Sequence, residues 1–270
     1  MKLRTDNYWN TAKKYGGRIG DVMKNHELTE TIGIMQRHVS VRAYTGEPIP
    51  RDHFLEIVRA AQGAASSHFV QAYSIIHVTD KEKKEQIAEL SRNPHVASCS
   101  DFLLFCGDLK RLEYAGRKHG VDIDYDSLEN FIVAVVDTAL IAQNAITAAE
   151  SLGYGGCYIG GVRNNPGAIS EVVGLPDKVF PLFGMCLGVP ARKNEVKPRL
   201  PVEAVLHENM YDEAKYPVLL DQYDETTSVY YRERSSNNKN TSWTETMADY
   251  LKEKRRPYMR EFIASKGFRL

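Results

Sequence analysis

One long apolar segment constrains this 270-residue chain more than any other feature. The stretch LENFIVAVVDTALIAQNAITAAESLG follows a helix N-cap residue at Asp126 or Ser127 and is ended by Gly153, which predicts a helix over residues 127–152. It is apolar on almost every side, so water cannot cover it. Its polar exceptions are Asp137, Gln143 and Asn144. The chain must therefore bury this helix in a domain core or in a contact between subunits.

Shorter apolar stretches predict strands that occur singly between helices. They are YSIIHV (73–78), DFLLFCG (101–107), GGCYIGG and VFPLFGMCLG. The last seventy residues are helical in pattern and charged, and Pro257 should kink or divide their final helix. Within them, KEKRR (252–256) is surrounded by acidic residues and favours a solvated helix face. The chain is thus mixed α and β, with the direction of strand pairing left open.

Composition excludes several classes of protein. Lysine plus arginine and aspartate plus glutamate number 35 each, which argues against a general surface for nucleic acid or anionic membranes. No uninterrupted apolar run reaches the ~18 residues of a membrane helix, and the first twenty residues lack the apolar region of a secretory signal. The cysteines Cys99, Cys106, Cys157 and Cys186 are scattered, as is typical of reduced cytosolic thiols.

Polar and apolar side chains alternate in RHVSVRAY. If this segment is extended, His38, Ser40 and Arg42 share one face, because side chains two residues apart point the same way. An imidazole, a hydroxyl and a guanidinium in one row suit either the solvated edge of a sheet or a contact with an elongated anion.

A second basic site is the turn KPRLP, residues 197–201. Lys197 and Arg199 flank Pro198, whose fixed φ stiffens the turn, and two cations so placed suit the oxygens of one phosphate monoester. Taken alone, each basic cluster is more simply explained as solvated surface charge.

The segment YIGGVRNN contains a glycine pair after a strand. Gly160 and Gly161 would let the backbone approach a flat ligand closely, although such pairs are also common at strand ends. The segment lacks the G-x-G-x-x-G pattern of dinucleotide-binding folds.

Cys157 follows two glycines, which could suggest a nucleophile elbow. The next glycine, Gly160, is three residues after the cysteine, whereas the elbow pattern needs it two residues after. A packed strand cysteine is the better interpretation, and a cysteine-dependent hydrolase is an alternative.

Eight segments, taken in order, resemble one known family. They are HVSVR, ASSHFVQAYSII, VVDTALIAQNAITAAESLG, YIGGVRNN, PLFGMCLG, KPRLP, HEN and YYRERSSNN. The set is similar to the FMN-dependent nitroreductases, and closest to their NADPH-preferring branch of oxygen-insensitive nitroreductase A and flavin reductases. The resemblance implies a nitroreductase domain over residues 29–270 and an N-terminal extension over residues 1–28.

The resemblance also implies contacts with FMN at particular positions. His38 and Ser40 would approach its phosphate and ribityl end, and Arg42 would reach the pyrimidine edge of its ring. Lys197 and Arg199 would hold the phosphate. The remaining positions are Tyr158, Ile159, Gly160 and Gly161 along the ring, and Ser66 and Ser67 reaching across from the other subunit.

Three positions depart from the family pattern. Val39 stands where the family usually has arginine, and Asn93 stands where a relative has glutamine; both still count among the expected cofactor-binding positions. Arg234 matches the position that contacts the 2′-phosphate of NADPH, and Arg163 is a further expected contact for NADPH or substrate. Lys239 replaces a second arginine there, and lysine keeps the charge but not the bidentate fork.

The fold implied is the α+β nitroreductase fold, with a mostly antiparallel central sheet flanked by helices. Two subunits would interlock through the 127–152 helix and the C-terminal segments. The implied reaction is ping-pong: NAD(P)H gives a hydride to flavin N5 and leaves, and a nitroaromatic, a quinone or free flavin then takes the reducing equivalents. FMN would carry this chemistry, so no catalytic acid or base is expected, and Arg42 would stabilise the reduced flavin.

The expected protein is therefore a cytoplasmic homodimer that uses FMN and NADPH or NADH and acts on a small-molecule acceptor. No metal, nucleic-acid or membrane partner is expected. A flavin-binding or flavin-sensing protein without useful turnover is the second alternative.

Replacing Arg199 by alanine should weaken FMN binding more than it slows flavin reduction in the remaining holoenzyme, because the phosphate end anchors and the ring end reacts. A charge-assisted phosphate contact is worth about 1.5–3 kcal/mol, so affinity should fall roughly 10- to 150-fold. Titration of the apoprotein with FMN measures this, and an unchanged dissociation constant would show that Arg199 is a surface charge.

Overall fold

The sequence patterns form eleven α-helices and four strands within residues 29–123, 126–192 and 194–268, the part of the chain that the computed structural model describes. The chain divides into two units. The sheet unit comprises residues 40–194 and 256–270, and the helical unit comprises residues up to Val39 together with Glu195–Arg255.

Each unit has its own set of helices. The helical unit contains α1 (Glu30–Gln36), α8 (Val202–Val205), α9 (Tyr216–Glu233) and α10 (Trp243–Leu251). The sheet unit contains α2 (Arg51–Gln62), α3 (Lys81–Ser91), α4 (His95–Ser98), α5 (Lys110–His119), α6 (Leu128–Ser151), α7 (Pro166–Val173) and α11 (Met259–Ser265).

The four strands of the sheet unit form one antiparallel sheet. They are β1 (Tyr73–Val78), β2 (Asp101–Asp108), β3 (Gly155–Ile159) and β4 (Val179–Gly188), in the order β1-β2-β4-β3. The predicted strands are thereby confirmed, and the structure supplies the antiparallel pairing that the sequence left open.

The apolar composition of β2 is explained by a core on each face of the sheet. Leu103 and Phe105 point into a core with α2 and α6, whereas Phe102 and Leu104 point into a core with α3 and α7. Successive side chains of a strand face opposite ways, so a strand covered on both sides must be apolar at every position.

Helix α6 begins and ends as predicted. The side chain of Ser127 accepts a hydrogen bond from the Asn130 N–H at 3.2 Å, and Gly153, with φ of +88°, follows the last turn. One face packs against α2 and the sheet. The core of this chain covers only part of the helix, since Leu128, Ile132, Val136 and Leu140 are exposed, and the predicted burial of the rest in a subunit contact stays a prediction. Their spacing of four residues aligns them in one stripe, called here the α6 stripe.

Two further predictions need correction. Among the described residues, α6 is one helix that is long and apolar enough to cross a membrane, because alanine and single polar residues leave its mean hydropathy high. Length and composition alone do not distinguish such a span from a core helix, and 39% of its most apolar 18-residue stretch is buried inside the protein. The KEKRR segment is not a helix face, since α10 ends at Leu251. Pro257 lies between α10 and α11 and divides them as predicted.

Asp137 is a buried carboxylate in the middle of α6. It accepts hydrogen bonds from the Ser66 hydroxyl at 2.7 Å, the Ser67 N–H at 3.1 Å and the Ala72 N–H at 3.0 Å. The Ser66 hydroxyl in turn accepts from the Gln71 N–H at 2.7 Å. One side chain therefore fixes both ends of the loop that leads into β1.

Replacing Asp137 by alanine should lower the free energy of unfolding by about 3 kcal/mol, because several donors would lose their acceptor inside the protein. Chemical denaturation measures the change. Glu129→Gln removes an exposed carboxylate from the same helix and should stay within about 0.5 kcal/mol of the parent protein. Equal effects of the two substitutions would contradict this role of Asp137.

Candidate active site

The Ser40–Arg42 segment lies along the edge of the sheet next to β3. The Val41 N–H donates to the Gly156 carbonyl at 2.8 Å, and Ser40 and Gly156 form a parallel bridge. Val41 is buried, while the side chains of Ser40 and Arg42 are exposed. The predicted alternation is therefore confirmed for residues 40–42, where a hydroxyl and a guanidinium are exposed on either side of buried Val41. His38, the third member of the predicted row, is half-buried and belongs to the helical unit.

Neighbouring bonds hold this segment in place. Tyr44 donates its hydroxyl hydrogen to the Val41 carbonyl at 2.7 Å, and the Thr45 N–H donates to the Val189 carbonyl at 3.0 Å. The Ser40 carbonyl accepts from the Asn194 side chain at 3.0 Å. The backbone is thus rigid where two polar side chains face outward.

His95, at the start of α4, was not singled out from the sequence. Burial, and secondly the positive charge of Arg42, lower the pKa of its imidazole, which favours the neutral ring. Its Nε2 atom is buried and has no hydrogen-bond partner among the described residues. No short motif marks this residue, because its relation to Arg42 arises only from the fold.

The two glycines after β3 have different roles. A Cβ on Gly161 would overlap the Asn93 side chain and the Ser91 carbonyl, so Gly161 is required by packing. A Cβ on Gly160 would meet only the Arg163 guanidinium, at 3.5 Å. Gly160 is therefore the position at which the backbone stays accessible to a flat ligand.

The other expected ring positions are held by the core. Ile159 is buried, so its side chain belongs to the core. Tyr158 is half-buried, and its ring packs edge-on against Phe183 at 5.4 Å. Asn93 donates its amide to the Ser91 carbonyl at 2.6 Å, so its shorter side chain is used within the turn.

The turn Gly160–Asn164 is fixed from several sides. Asn164 accepts from the Arg256 guanidinium at 2.8 and 3.0 Å and donates to the Ser91 carbonyl at 2.9 Å. Arg163 is half-buried and donates to the Leu182 carbonyl of β4. Its guanidinium therefore has a structural contact besides the expected contact with NADPH or substrate.

The Ser66–Ser67 loop has a strained backbone. His68, Phe69 and Gln71 all have positive φ values, which non-glycine residues seldom adopt. Phe69 is 80% exposed, although it is a large aromatic residue. Ser66 is bonded to Asp137, whereas Ser67 is exposed and bonded through its backbone. Asp137 is the residue whose role the sequence did not reveal.

In the helical unit, the basic turn is held by α9. Tyr223 is buried and donates its hydroxyl hydrogen to the Pro198 carbonyl at 2.9 Å. Lys197 and Arg199 are exposed on either side of Pro198. His38, which is half-buried, also belongs to this unit, as does Val39.

The expected 2′-phosphate residues follow α9 directly. Arg234 is half-buried, and its guanidinium carbon lies 5.0 Å from the ring centre of Tyr231 and 5.9 Å from that of Tyr230. It donates to the Asn237 carbonyl. Lys239 is exposed, and its backbone N–H donates a hydrogen bond to the Tyr231 carbonyl at 3.0 Å.

Cys157 does not fit the hydrolase alternative. It is 2% exposed and lies in the middle of β3, opposite Cys186 of β4. Burial raises the pKa of its thiol, so the reactive thiolate is disfavoured. It is a packed strand cysteine, as the glycine spacing indicated.

Comparison with known proteins defines the class. A family profile described as "Nitroreductase family" matches residues 34–189, and one described as "Nitroreductase family, C-terminal domain" matches residues 197–270. The chain belongs to the nitroreductase family.

Individual relatives are consistent with this class. A protein named Cr(VI) reductase from Pseudomonas sp. (strain G-1) is 56% identical over 87% of this chain and 97% of its own length. FMN reductase (NADPH) from Bacillus subtilis is 40% identical over 89% of this chain and 99% of its own length.

Solved structures agree. The NfrA1 nitroreductase from B. subtilis has a TM-score of 0.85 at 40% identity and covers 89% of this chain and 99% of its own. NADPH:FMN oxidoreductase from Vibrio harveyi, complexed with NAD+, has a TM-score of 0.81 at 36% identity, with the same coverage. The nitroreductase fold and the resemblance to FMN-dependent, NADPH-using oxidoreductases are confirmed.

The residues present fit such a cofactor. Gly160 leaves backbone accessible, the buried Nε2 of His95 lacks a partner among the described residues, and Arg42 presents a cation on a rigid segment. In the helical unit, Lys197 and Arg199 offer two cations on a turn held by α9. The groups of the sheet unit suit a flat ring, and those of the helical unit suit an anionic group such as a phosphate.

The two glycines allow a matched test. Gly160→Ala should fold normally, since the added methyl would lie in ordinary van der Waals contact with the Arg163 guanidinium at 3.5 Å, but FMN affinity should fall at least about tenfold if the ring lies on this backbone. Gly161→Ala should instead lower the melting temperature, because its methyl would overlap backbone and amide atoms. Unchanged FMN binding in folded Gly160→Ala protein would remove Gly160 from the site.

Proposed function

We propose that this chain binds FMN at the positions set out above and uses it to pass reducing equivalents from NADPH to small-molecule acceptors. The observation that carries the proposal is the rigid, outward-facing row of Ser40 and Arg42 next to β3, the strand that leads into the accessible backbone of Gly160. When bound, FMN supplies the hydride chemistry.

The work of the protein is binding, orientation and charge. Lys197, Arg199 and His38 would hold the phosphate end, and Ser40 would contact the ribityl chain. Arg42 would lie at the pyrimidine edge, where a fixed cation favours negative charge on the reduced ring. The further proposed contacts are Val39, Asn93, Tyr158, Ile159, Gly160 and Gly161, with Arg163, Arg234 and Lys239 for the nicotinamide donor or substrate.

The names of the relatives support nitro compounds and flavin as acceptors. Quinones are a further acceptor class that the sequence resemblance implies. Chromate is a second candidate, because the relative at 56% identity is named Cr(VI) reductase.

We place the protein in the cytoplasm and assign one nitroreductase domain to residues 29–270, with residues 1–28 outside it. The two family matches together run from residue 34 to residue 270, which supports this assignment.

The purified protein should be yellow, and cofactor released by heat should migrate as FMN at one per subunit. Oxidation of NADPH should then accelerate when a nitroaromatic, a quinone, free flavin or chromate is added at fixed NADPH, and the panel ranks the acceptors. FAD, or no flavin after reconstitution, would contradict the cofactor assignment. FMN without acceptor-dependent NADPH oxidation would favour the sensing alternative.

The homodimer is part of the same proposal. The α6 stripe exposes four large aliphatic side chains in one row, and the nearby loop exposes Phe69 on a strained backbone. Aligned apolar side chains of this size are unfavourable in water and are typical of subunit contacts. A second copy of the chain would cover the stripe and receive Ser66 and Ser67 at its FMN.

Sedimentation should give about twice the 30.5 kDa chain mass for the parent protein. Val136→Lys should shift the equilibrium toward monomer and release FMN, since it places a charge in the centre of the apolar contact. Gln143→Lys adds the same charge to an exposed polar position of the same helix and should stay dimeric. A stable parent monomer that retains FMN would refute the dimer.

A further inference from the structure

Tyr231 is a buried tyrosine at the end of α9 whose ring contacts two cations. Lys197 Nζ lies 5.1 Å from its ring centre, and the guanidinium carbon of Arg234 lies 5.0 Å from the same point. The backbone carbonyl of Tyr231 also accepts a hydrogen bond from the backbone N–H of Lys239 at 3.0 Å. The side chain is only 7% exposed, so the ring is fixed by packing.

The two cations are brought close together by this ring. Each lies about 5 Å from one centre, so they are at most about 10 Å apart. Positive charges at this separation repel in the absence of an anion. The electron-rich face of an aromatic ring attracts cations, and this attraction offsets part of the repulsion.

Helix α9 provides a rigid base for the arrangement. Tyr223, Thr227, Tyr230 and Tyr231 form its buried face, at the spacing expected for one side of a helix. Tyr223 holds the basic turn through Pro198, and Tyr231 contacts Lys197 in the same turn. One helix therefore links the turn proposed for the FMN phosphate to the segment proposed for the 2′-phosphate of NADPH.

We propose that Tyr231 is a positioning residue shared by both phosphate sites, holding Lys197 for the phosphate of FMN and Arg234 for the 2′-phosphate of the nicotinamide donor. This inference rests on the proposed function. It makes affinity for FMN and preference for NADPH over NADH depend on one aromatic ring that need not touch either ligand.

The test compares three variants by binding. Tyr231→Leu removes the ring, Tyr231→Phe keeps the ring and loses the hydroxyl, and Tyr223→Phe loses only the hydrogen bond to Pro198. The dissociation constant for FMN is measured by flavin fluorescence on titrating apoprotein. The dissociation constants for NADP+ and NAD+ are measured on the FMN-loaded protein at low and high salt.

Tyr231→Leu should weaken FMN binding about fivefold and should lower the ratio of NADP+ to NAD+ affinity by a similar factor, as expected for one cation–π contact at each site. Tyr231→Phe should keep both values near those of the parent. Tyr223→Phe should weaken FMN binding and leave the NADP+ to NAD+ ratio unchanged. High salt should reduce the ratio in the parent more than in Tyr231→Leu.

Other outcomes overturn the inference. If Tyr231→Leu changes neither quantity, or lowers NADP+ and NAD+ affinity equally, the ring acts only in packing. If Tyr231→Phe fails as Tyr231→Leu does, the hydroxyl and not the ring is responsible. If Tyr231→Leu does not fold, the same dissociation constants are measured on Tyr231→Met, whose longer side chain fills more of the space without an aromatic face. A parent protein that binds no FMN would refute the proposed function as well, whereas intact FMN binding with unaltered donor preference in the variants refutes only this inference.

Discussion

The carboxylate of Asp137 is the interaction on which much of the sheet unit depends. It lies at the centre of α6 and accepts hydrogen bonds from the loop that precedes β1. A buried charge is tolerated only when donors surround it, so the loop and the helix constrain each other. These bonds anchor both ends of the loop in which His68, Phe69 and Gln71 have positive φ values. The position of Ser66 and Ser67 follows from them.

Helix α6 has one buried face and one exposed face. Its buried face, with Asp137, Ile141 and Ala145, meets the sheet and α2. The α6 stripe is exposed to solvent in the single chain. In the proposed dimer the same helix would support the core of one subunit and the contact with the other, which would tie cofactor binding to assembly.

The polar groups proposed to bind cofactor are held by ordinary structural bonds. Val41 fixes the extended segment to β3, Tyr223 fixes the basic turn, and Arg256 fixes the turn after Gly160 through Asn164. The side chains that face outward therefore need little further ordering when a ligand binds, which lowers the entropic cost of binding. Cations on such rigid supports give both affinity and orientation.

Local patterns were sufficient wherever the deciding interaction spans a few residues. The N-cap at Ser127, the stop at Gly153, the four strands and the alternation of Ser40, Val41 and Arg42 depend on backbone geometry within one or two turns. The order of eight motifs was enough to indicate the family and hence the cofactor. The segment at residues 252–256 failed as a helix because charge pattern alone does not specify where a helix ends.

The sequence by itself determined the class of fold, the family and the residue types available to hold an anionic flavin. Only the tertiary structure decided that Gly161 serves packing while Gly160 stays open, that His95 lies near Arg42, and that Tyr231 gathers Lys197 and Arg234. These relations join residues from separate elements of the chain. They depend on how strands and helices pack, and packing is set by the shape and burial of many side chains together, which no short segment encodes.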